Sequence, residues 1–148
     1  MRNEPVVRVG IGVFVLKDGQ FLMGQRRNSH GHGSWSLPGG HQEFGESPTE
    51  TASREVKEEA DISIKNVRLG AVTNDFFEAE GKHYITLWML SEFESGIPTV
   101  MEPDKLTGQW EWRDFDSLPQ PLVLPWDQLL ESEYMPMLRE QLKQSRYA

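Results

Sequence analysis

The chain has 148 residues, the length of one domain, and its 37% apolar and 10% aromatic content suffices for a core without disulfides or a structural metal. Cysteine is absent, which excludes disulfide frameworks, thiolate metal sites and cysteine nucleophiles. Lys and Arg number 15 against 23 Asp and Glu, and the formal charge of −8 argues against wrapping a nucleic-acid polymer. A small anionic substrate stays compatible with that charge if a divalent cation offsets it locally. No apolar run approaches the ~20 residues of a membrane span, and the N-terminal residues lack a signal-peptide pattern. The expectation is a soluble cytoplasmic domain spanning residues 1–148, with no membrane partner.

Val6 to Leu16 is rich in valine and isoleucine and reads as one long strand. Asp18-Gly19 marks a tight turn into a second strand starting at Phe21-Leu22-Met23, so a hairpin is expected. A polar loop follows from Arg26 to Ser34, and then the breaker cluster Leu37-Pro38-Gly39-Gly40. A helix is expected from Ser47, where Ser47 caps, Pro48 suits the first helical position and Glu50 completes a capping box. Ala52, Val56 and Ala60 recur at intervals of four and form its buried stripe. Further strands are expected at Val67–Thr73, His83–Phe93 and Gln109–Arg113, and a helical tail from Trp126 to Gln144 broken by Pro136. Strands on both sides of a helix, with helix at the end, predict an α/β (α+β) domain, a mixed α/β sandwich.

The predicted helix carries Glu55, Glu58 and Glu59 within an arc of about 100°. Like charges at these spacings each cost roughly 0.2–0.5 kcal/mol, and Arg54 and Lys57 project elsewhere on the wheel. Oxygen-only ligands of this kind suit magnesium, manganese or calcium; the alternative is a solvated acidic face. The upstream spacing bears on that choice. Gly40 precedes Glu46 by five intervening residues, and seven more lead to Arg54-Glu55-Val56-Lys57-Glu58-Glu59, with Ile62 as a closing aliphatic.

This arrangement, G-x5-E-x7-R-E-U-x-E-E with U a bulky aliphatic, resembles the Nudix (MutT-like) hydrolase box over residues 40–62. The surrounding Leu37-Pro38-Gly39-Gly40-His41 and Glu43-Phe44-Gly45-Glu46 resemble the small plant and vertebrate nucleotide-diphosphatase subgroup. Glu102-Pro103-Asp104-Lys105 and Trp110-Glu111-Trp112 extend that likeness. Asp61 departs from the box, standing where the family usually has glycine, which bears on the turn after the helix. The resemblance implies a Nudix-type α/β/α sandwich with a mixed β-sheet, and magnesium-dependent (or manganese-dependent) attack of water on a diphosphate. It implies Glu55 and Glu59 as principal metal ligands and Glu58 as assisting ligand or base. Arg54 would orient the carboxylates, and Glu46 would anchor Arg54. The carbonyl of Gly39 or Gly40 would supply a backbone ligand, and Glu102 would complete the metal site from a later loop.

For the substrate, Arg26 or Arg27 is a candidate phosphate contact and His41 a phosphate or base contact, against loop-stabilising or solvated roles. Leu37 and Thr86 are candidate pocket walls by resemblance, and Leu122 to Leu124 a candidate far side. His30 and His32 read as exposed loop residues. Among Trp35, Phe76, Phe77, Trp110 and Trp112, one or two would meet substrate and the rest would be core. The implied reaction converts a (deoxy)nucleoside triphosphate, oxidised purines included, to monophosphate and pyrophosphate. Nucleotide sugars, dinucleotide cofactors and prenyl diphosphates are the alternative substrates, and a non-catalytic binding module is the alternative class. The subgroup likeness also implies a homodimer.

Overall fold

A computed structural model describes residues 4–28 and 31–147 of the chain. Among these, seven strands form a mixed sheet with helices on both faces. Strands β1 (Val7–Lys17) and β2 (Gln20–Arg26) form the expected hairpin, with Lys17 opposite Gln20. Asp18 and Gly19 both take positive φ, 51° and 79°, the pair of left-handed residues that a two-residue hairpin turn requires. Two short strands follow, β3 (Trp35–Ser36) against β2 and β4 (Gly39–His41) against β1.

Helix α1 (Pro48–Ala60) leads into β5 (Ile62–Phe77), which turns through a 3-10 segment into β6 (Lys82–Gly96). Strand β7 (Leu106–Arg113) returns to pair with β2. At the centre β1 and β6 run parallel, from Val7 opposite His83 to Leu16 opposite Glu92. Strand β1 begins and ends one residue later than expected, and β5, β6 and β7 extend beyond their predicted spans, β5 most of all. Its interruptions between Lys65 and Arg68 and between Leu69 and Ala71 are irregularities inside one continuous ladder with β6. The tail forms two helices, α2 (Pro125–Leu130) and α3 (Met135–Gln144). The break precedes Pro136, which sits in the first turn of α3, where its missing N–H costs no helical hydrogen bond.

The sheet divides the core in two. On one face Ile11, Val13 and Val15 of β1 pack with Ala52, Val56 and Ala60 of α1. On the other, Phe14 and Leu16 pack with Trp88, Trp126, Leu129, Leu138 and Leu142. The side chains of β1 alternate between these faces, as strand geometry demands. Gly10 and Gly12 fall on the α2 side, where the alternation would otherwise place side chains over Tyr84 and Trp88. No described helix is long and apolar enough to cross a membrane.

Candidate functional site

Helix α1 presents its glutamates in a fixed orientation because both of its ends are capped. The Ser47 Oγ accepts from the Glu50 N–H at 3.1 Å, and Glu50 Oε1 accepts from the Ser47 N–H at 2.9 Å, the expected capping box. Thr51, Ala52, Val56 and Ala60 are buried against the sheet, which turns the face bearing Glu55 and Glu59 toward β4. At the C-terminus Asp61 takes the left-handed conformation itself, φ 56° and ψ 38°, and its N–H reaches the Lys57 carbonyl at 3.1 Å. The turn is therefore made without the glycine usual at this place, aspartate being among the residues that tolerate the region.

Arg54 ties the cluster together. Its Nε donates to Glu46 Oε2 at 2.7 Å and its Nη2 to Glu46 Oε1 at 3.0 Å. Its Nη1 donates to Glu55 at 2.8 Å and to Glu58 at 3.3 Å, and Nη2 also meets the His41 carbonyl at 3.3 Å. The helical wheel misjudged this residue. The projection locates the Cβ, whereas the long arginine side chain sweeps across to both glutamates and offsets their repulsion. The guanidinium bonds, with the Glu43 N–H and Thr51 hydroxyl, hold the Glu46 carboxyl down at about 2. In return Glu46, and then Glu55, raise the Arg54 guanidinium above its ordinary value.

Glu55 and Glu59 face the two glycines of β4. The Glu59 Oε1 accepts from the Gly39 N–H at 2.7 Å. Gly40 lies so close to Glu55 that a Cβ there would stand 2.5 Å from the Glu55 Cδ. A Cβ at Gly39 would stand 1.9 Å from the Ile11 carbonyl oxygen, so β4 lies against β1 as only glycine permits. Burial raises the Glu55 carboxyl, against the opposing pull of Arg54. Burial pushes Glu59 up to about 8, with Glu55 and Glu102 adding to the rise while the Gly39 N–H and Arg26 oppose it. Glu102, in the loop before β7, thus acts on both glutamates through its charge, and its own partner is Lys105 Nζ at 3.4 Å.

Among the described residues no three acidic or histidine side chains converge as a ready cage, since Glu58 is turned to Arg54. The donor set nonetheless fits a hard divalent cation. Two crowded carboxylates, a third acid within electrostatic reach and glycine carbonyls on an open strand offer oxygen only, as magnesium and manganese prefer.

Beside this cluster opens a cavity of about 270 Å³. Its lining includes four residues anticipated as substrate contacts, Arg26, Leu37, His41 and Thr86, and both Gly39 and Gly40. Arg26 Nε donates to Ser36 Oγ at 3.2 Å. The His41 ring stands 3.1 Å from the Tyr84 hydroxyl, and burial followed by Arg8, Lys82 and Arg26 lowers its pKa. Of the aromatics singled out, Phe77 lines the cavity and Phe76 is exposed, while Trp110 and Trp112 pack on the α1 side of the sheet. Trp35 packs against the opposite core, and Val123 closes part of the cavity's far side. His32 Nδ1 accepts from the Asn28 N–H at 2.8 Å, and His30 lies outside the described residues. Gly10, Gly12, Tyr84, Trp88 and Trp126 also line the cavity. The alternation of β1 and the pairing of β6 beside it are the signals that would have found all of these but Trp126, which α2 supplies.

The NUDIX domain family matches residues 6–132. The human 8-oxo-dGDP phosphatase NUDT18 is 34% identical over 81% of this chain, which spans about a third (36%) of that relative's length. The Bartonella quintana RNA pyrophosphohydrolase is 28% identical, with 83% of this chain and 84% of the relative covered. Among solved structures, the MutT NUDIX hydrolase from Burkholderia pseudomallei has a TM-score of 0.75 at 31% identity. That match covers 92% of this chain and 98% of the other.

Proposed function

The chain belongs to the NUDIX family, and from that premise we propose that it is a magnesium-dependent diphosphatase acting on (deoxy)nucleoside triphosphates, oxidised purine nucleotides included. Manganese is the substitute ion. The observation that carries the reading is the strand Gly39–His41, which the carboxylate cluster and the cavity share. A phosphate chain laid on it has acids on one side and a base-sized recess on the other. The names of the relatives support nucleotides as the substrate class, since they include an 8-oxo-dGDP phosphatase and a putative 8-oxo-dGTP diphosphatase of Mycobacterium tuberculosis.

In this reading Glu55 and Glu59, with Glu102 and the carbonyl of Gly39 or Gly40, would hold the cation, and Glu58 assists as a ligand or serves as the base. When bound, the cation supplies neutralisation of the phosphate oxygens. Arg54, anchored by Glu46, keeps Glu55 aimed at β4. Glu58 is half-exposed and bonded only to Arg54, so it is free to turn to the attacking water and take its proton. Arg26 and His41 meet the phosphates, and Leu37 and Thr86 bound the base. Water adds to phosphorus, the bond from that phosphorus to the bridging oxygen breaks, and pyrophosphate leaves with the nucleoside monophosphate. The proposal includes a cytoplasmic homodimer, for which light scattering should give twice the 17.0 kDa chain mass.

The test is a panel of nucleoside tri- and diphosphates, nucleotide sugars, dinucleotides and prenyl diphosphates, assayed with magnesium in ¹⁸O-labelled water. Monophosphate plus pyrophosphate from a triphosphate is the expected result. Orthophosphate as the primary product from triphosphates defeats it, and preferential turnover of a prenyl diphosphate moves the substrate class. The label in pyrophosphate reports attack at the β-phosphorus, and in monophosphate attack at the α-phosphorus.

A further inference from the structure

Two buried polar atoms in the described structure lack a hydrogen-bond partner, Asp75 Oδ1 and Trp126 Nε1. Both residues are fully enclosed, at 0% exposure. An enclosed polar group left unpaired is costly, and native structures rarely keep one without a role or a trapped water. Both atoms belong to the cavity side of the sheet. Thr73, Asp75 and Phe77 alternate along β5 and pair across the ladder with Thr86, Tyr84 and Lys82, all three of which line the cavity. Directly opposed residues in a sheet point to the same face, which places Asp75 on the side of the cavity. Trp126, on α2, is itself part of the cavity wall.

The hydrogen-bond directions fix what each atom offers. Trp88 Nε1 donates to Thr73 Oγ1 at 2.9 Å, so the Thr73 hydroxyl hydrogen goes onward to Asp75 Oδ2, at 2.7 Å. The relay ends on Asp75, whose remaining oxygen is an acceptor. The indole N–H of Trp126 is a donor only. Trp126 thus brings an unused donor to the cavity wall, and Asp75, which is not itself a lining residue, holds an unused acceptor on the same side of the sheet. The rest of the lining on that face is mostly apolar, including Leu37, Phe77, Val123 and Trp88.

We propose that Asp75 and Trp126 are specificity-determining residues that read the edge of a heterocyclic base. A ring nitrogen or carbonyl of the base accepts from Trp126, and an amino or imino N–H of the base reaches the enclosed Asp75 through a bridging water. This rests on the nucleotide reading above and deepens it, because a hydrocarbon chain satisfies neither atom whereas a base carries both the acceptor and the donor they call for. A volume of about 270 Å³, near the lower end for ligand pockets, suits a base rather than a larger group.

The experiment measures dissociation constants, by calorimetry, for adenosine, guanosine and purine riboside 5′-monophosphates. Purine riboside keeps the ring nitrogens but has no N–H donor on its six-membered ring. Wild type should bind the better of the two natural nucleotides at least about tenfold tighter than purine riboside monophosphate. Asp75→Asn, which can present an amide donor in place of the acceptor, should shrink that ratio to within about threefold. Trp126→Phe should weaken all three nucleotides while leaving inorganic pyrophosphate unchanged. Thermal melts identify folded variants, and Asp75→Ser provides a smaller replacement if Asp75→Asn does not fold. A ratio unchanged in both Asp75 variants, or equal weakening of all ligands including pyrophosphate, overturns the proposal and makes the pair a structural feature. Wild type that binds none of the nucleotides overturns it as well. Wild type that discriminates among them but hydrolyses no triphosphate defeats only the functional reading.

Discussion

Arg54 grips Glu46 with two parallel N–H groups, at 2.7 and 3.0 Å, while a third nitrogen of the same fork reaches Glu55. This geometry makes the guanidinium a bracket between the loop before α1 and the carboxylates on it. Lysine carries the charge but not the planar fork. Arg54→Lys is therefore expected to lower kcat/KM by about 10–100-fold, as loss of a ligand-orienting partner does, with the fold retained. Steady-state kinetics beside circular dichroism test this, and near-wild-type kcat/KM would remove Arg54 from the positioning role.

Glu59→Gln removes the charge proposed to hold the cation, and turnover is expected to fall at least ~10²-fold. Its stability effect has a definite sign. Glu59 rises from an ordinary 4.5 to about 8 in the metal-free fold, so the folded chain keeps a proton that the unfolded chain has released. That contribution is fully present below pH 4.5 and is lost as pH rises through 8. In chelator, Glu59→Gln should therefore melt increasingly above wild type between pH 5 and 8.5, and added magnesium should raise only the wild type. Melting curves that stay parallel across pH count against the assignment.

The two glycines of β4 should respond differently to alanine. At Gly40 the added methyl meets the Glu55 carboxyl, a side chain that can swing away, so activity should collapse while the melting temperature changes little. At Gly39 it meets the backbone oxygen of Ile11, which cannot move without breaking the β1–β4 pairing. Gly39→Ala should therefore fail chiefly in stability. Equal loss of melting temperature in both variants contradicts this division.

Ser47→Ala removes the cap of α1 and should cost about 0.5–2 kcal/mol in denaturant titration. Activity per folded molecule should change far less than in the glutamate variants. Abolished turnover in a well-folded Ser47→Ala protein would give Ser47 a chemical role.

Much of this was legible from local chemistry. Ser47, Pro48 and Glu50 announce the start of α1, Asp18-Gly19 the hairpin, and the spacing from Gly40 to Glu59 the carboxylate cluster. What escaped depends on pairing between distant segments. That Thr73 and Asp75 lie beside Thr86 and Tyr84 follows from the β5–β6 register, and bulges at Lys65/Arg68 and Leu69/Ala71 shift that register where alternation alone would mislead. Trp126 opens the expected helical tail, and its packing in the core and its place in the cavity wall both depend on α2 docking against the sheet. Arg54 was misprojected because a wheel has no side-chain length.

Strand β1 acts as a partition. Its odd-numbered residues from Ile11 to Val15 support α1 and the carboxylates it carries, while Gly10 and Gly12 leave the recess open on the reverse side. A methyl group at either glycine would stand at ordinary contact distance from Tyr84 or Trp88, 3.6 and 3.7 Å, filling space without moving backbone. Mutational drift at these two positions can therefore reshape what the recess admits while α1 and its carboxylates, on the other face, are left in place. Under the proposed function, selectivity and chemistry fall on opposite faces of one strand, and each can change without the other.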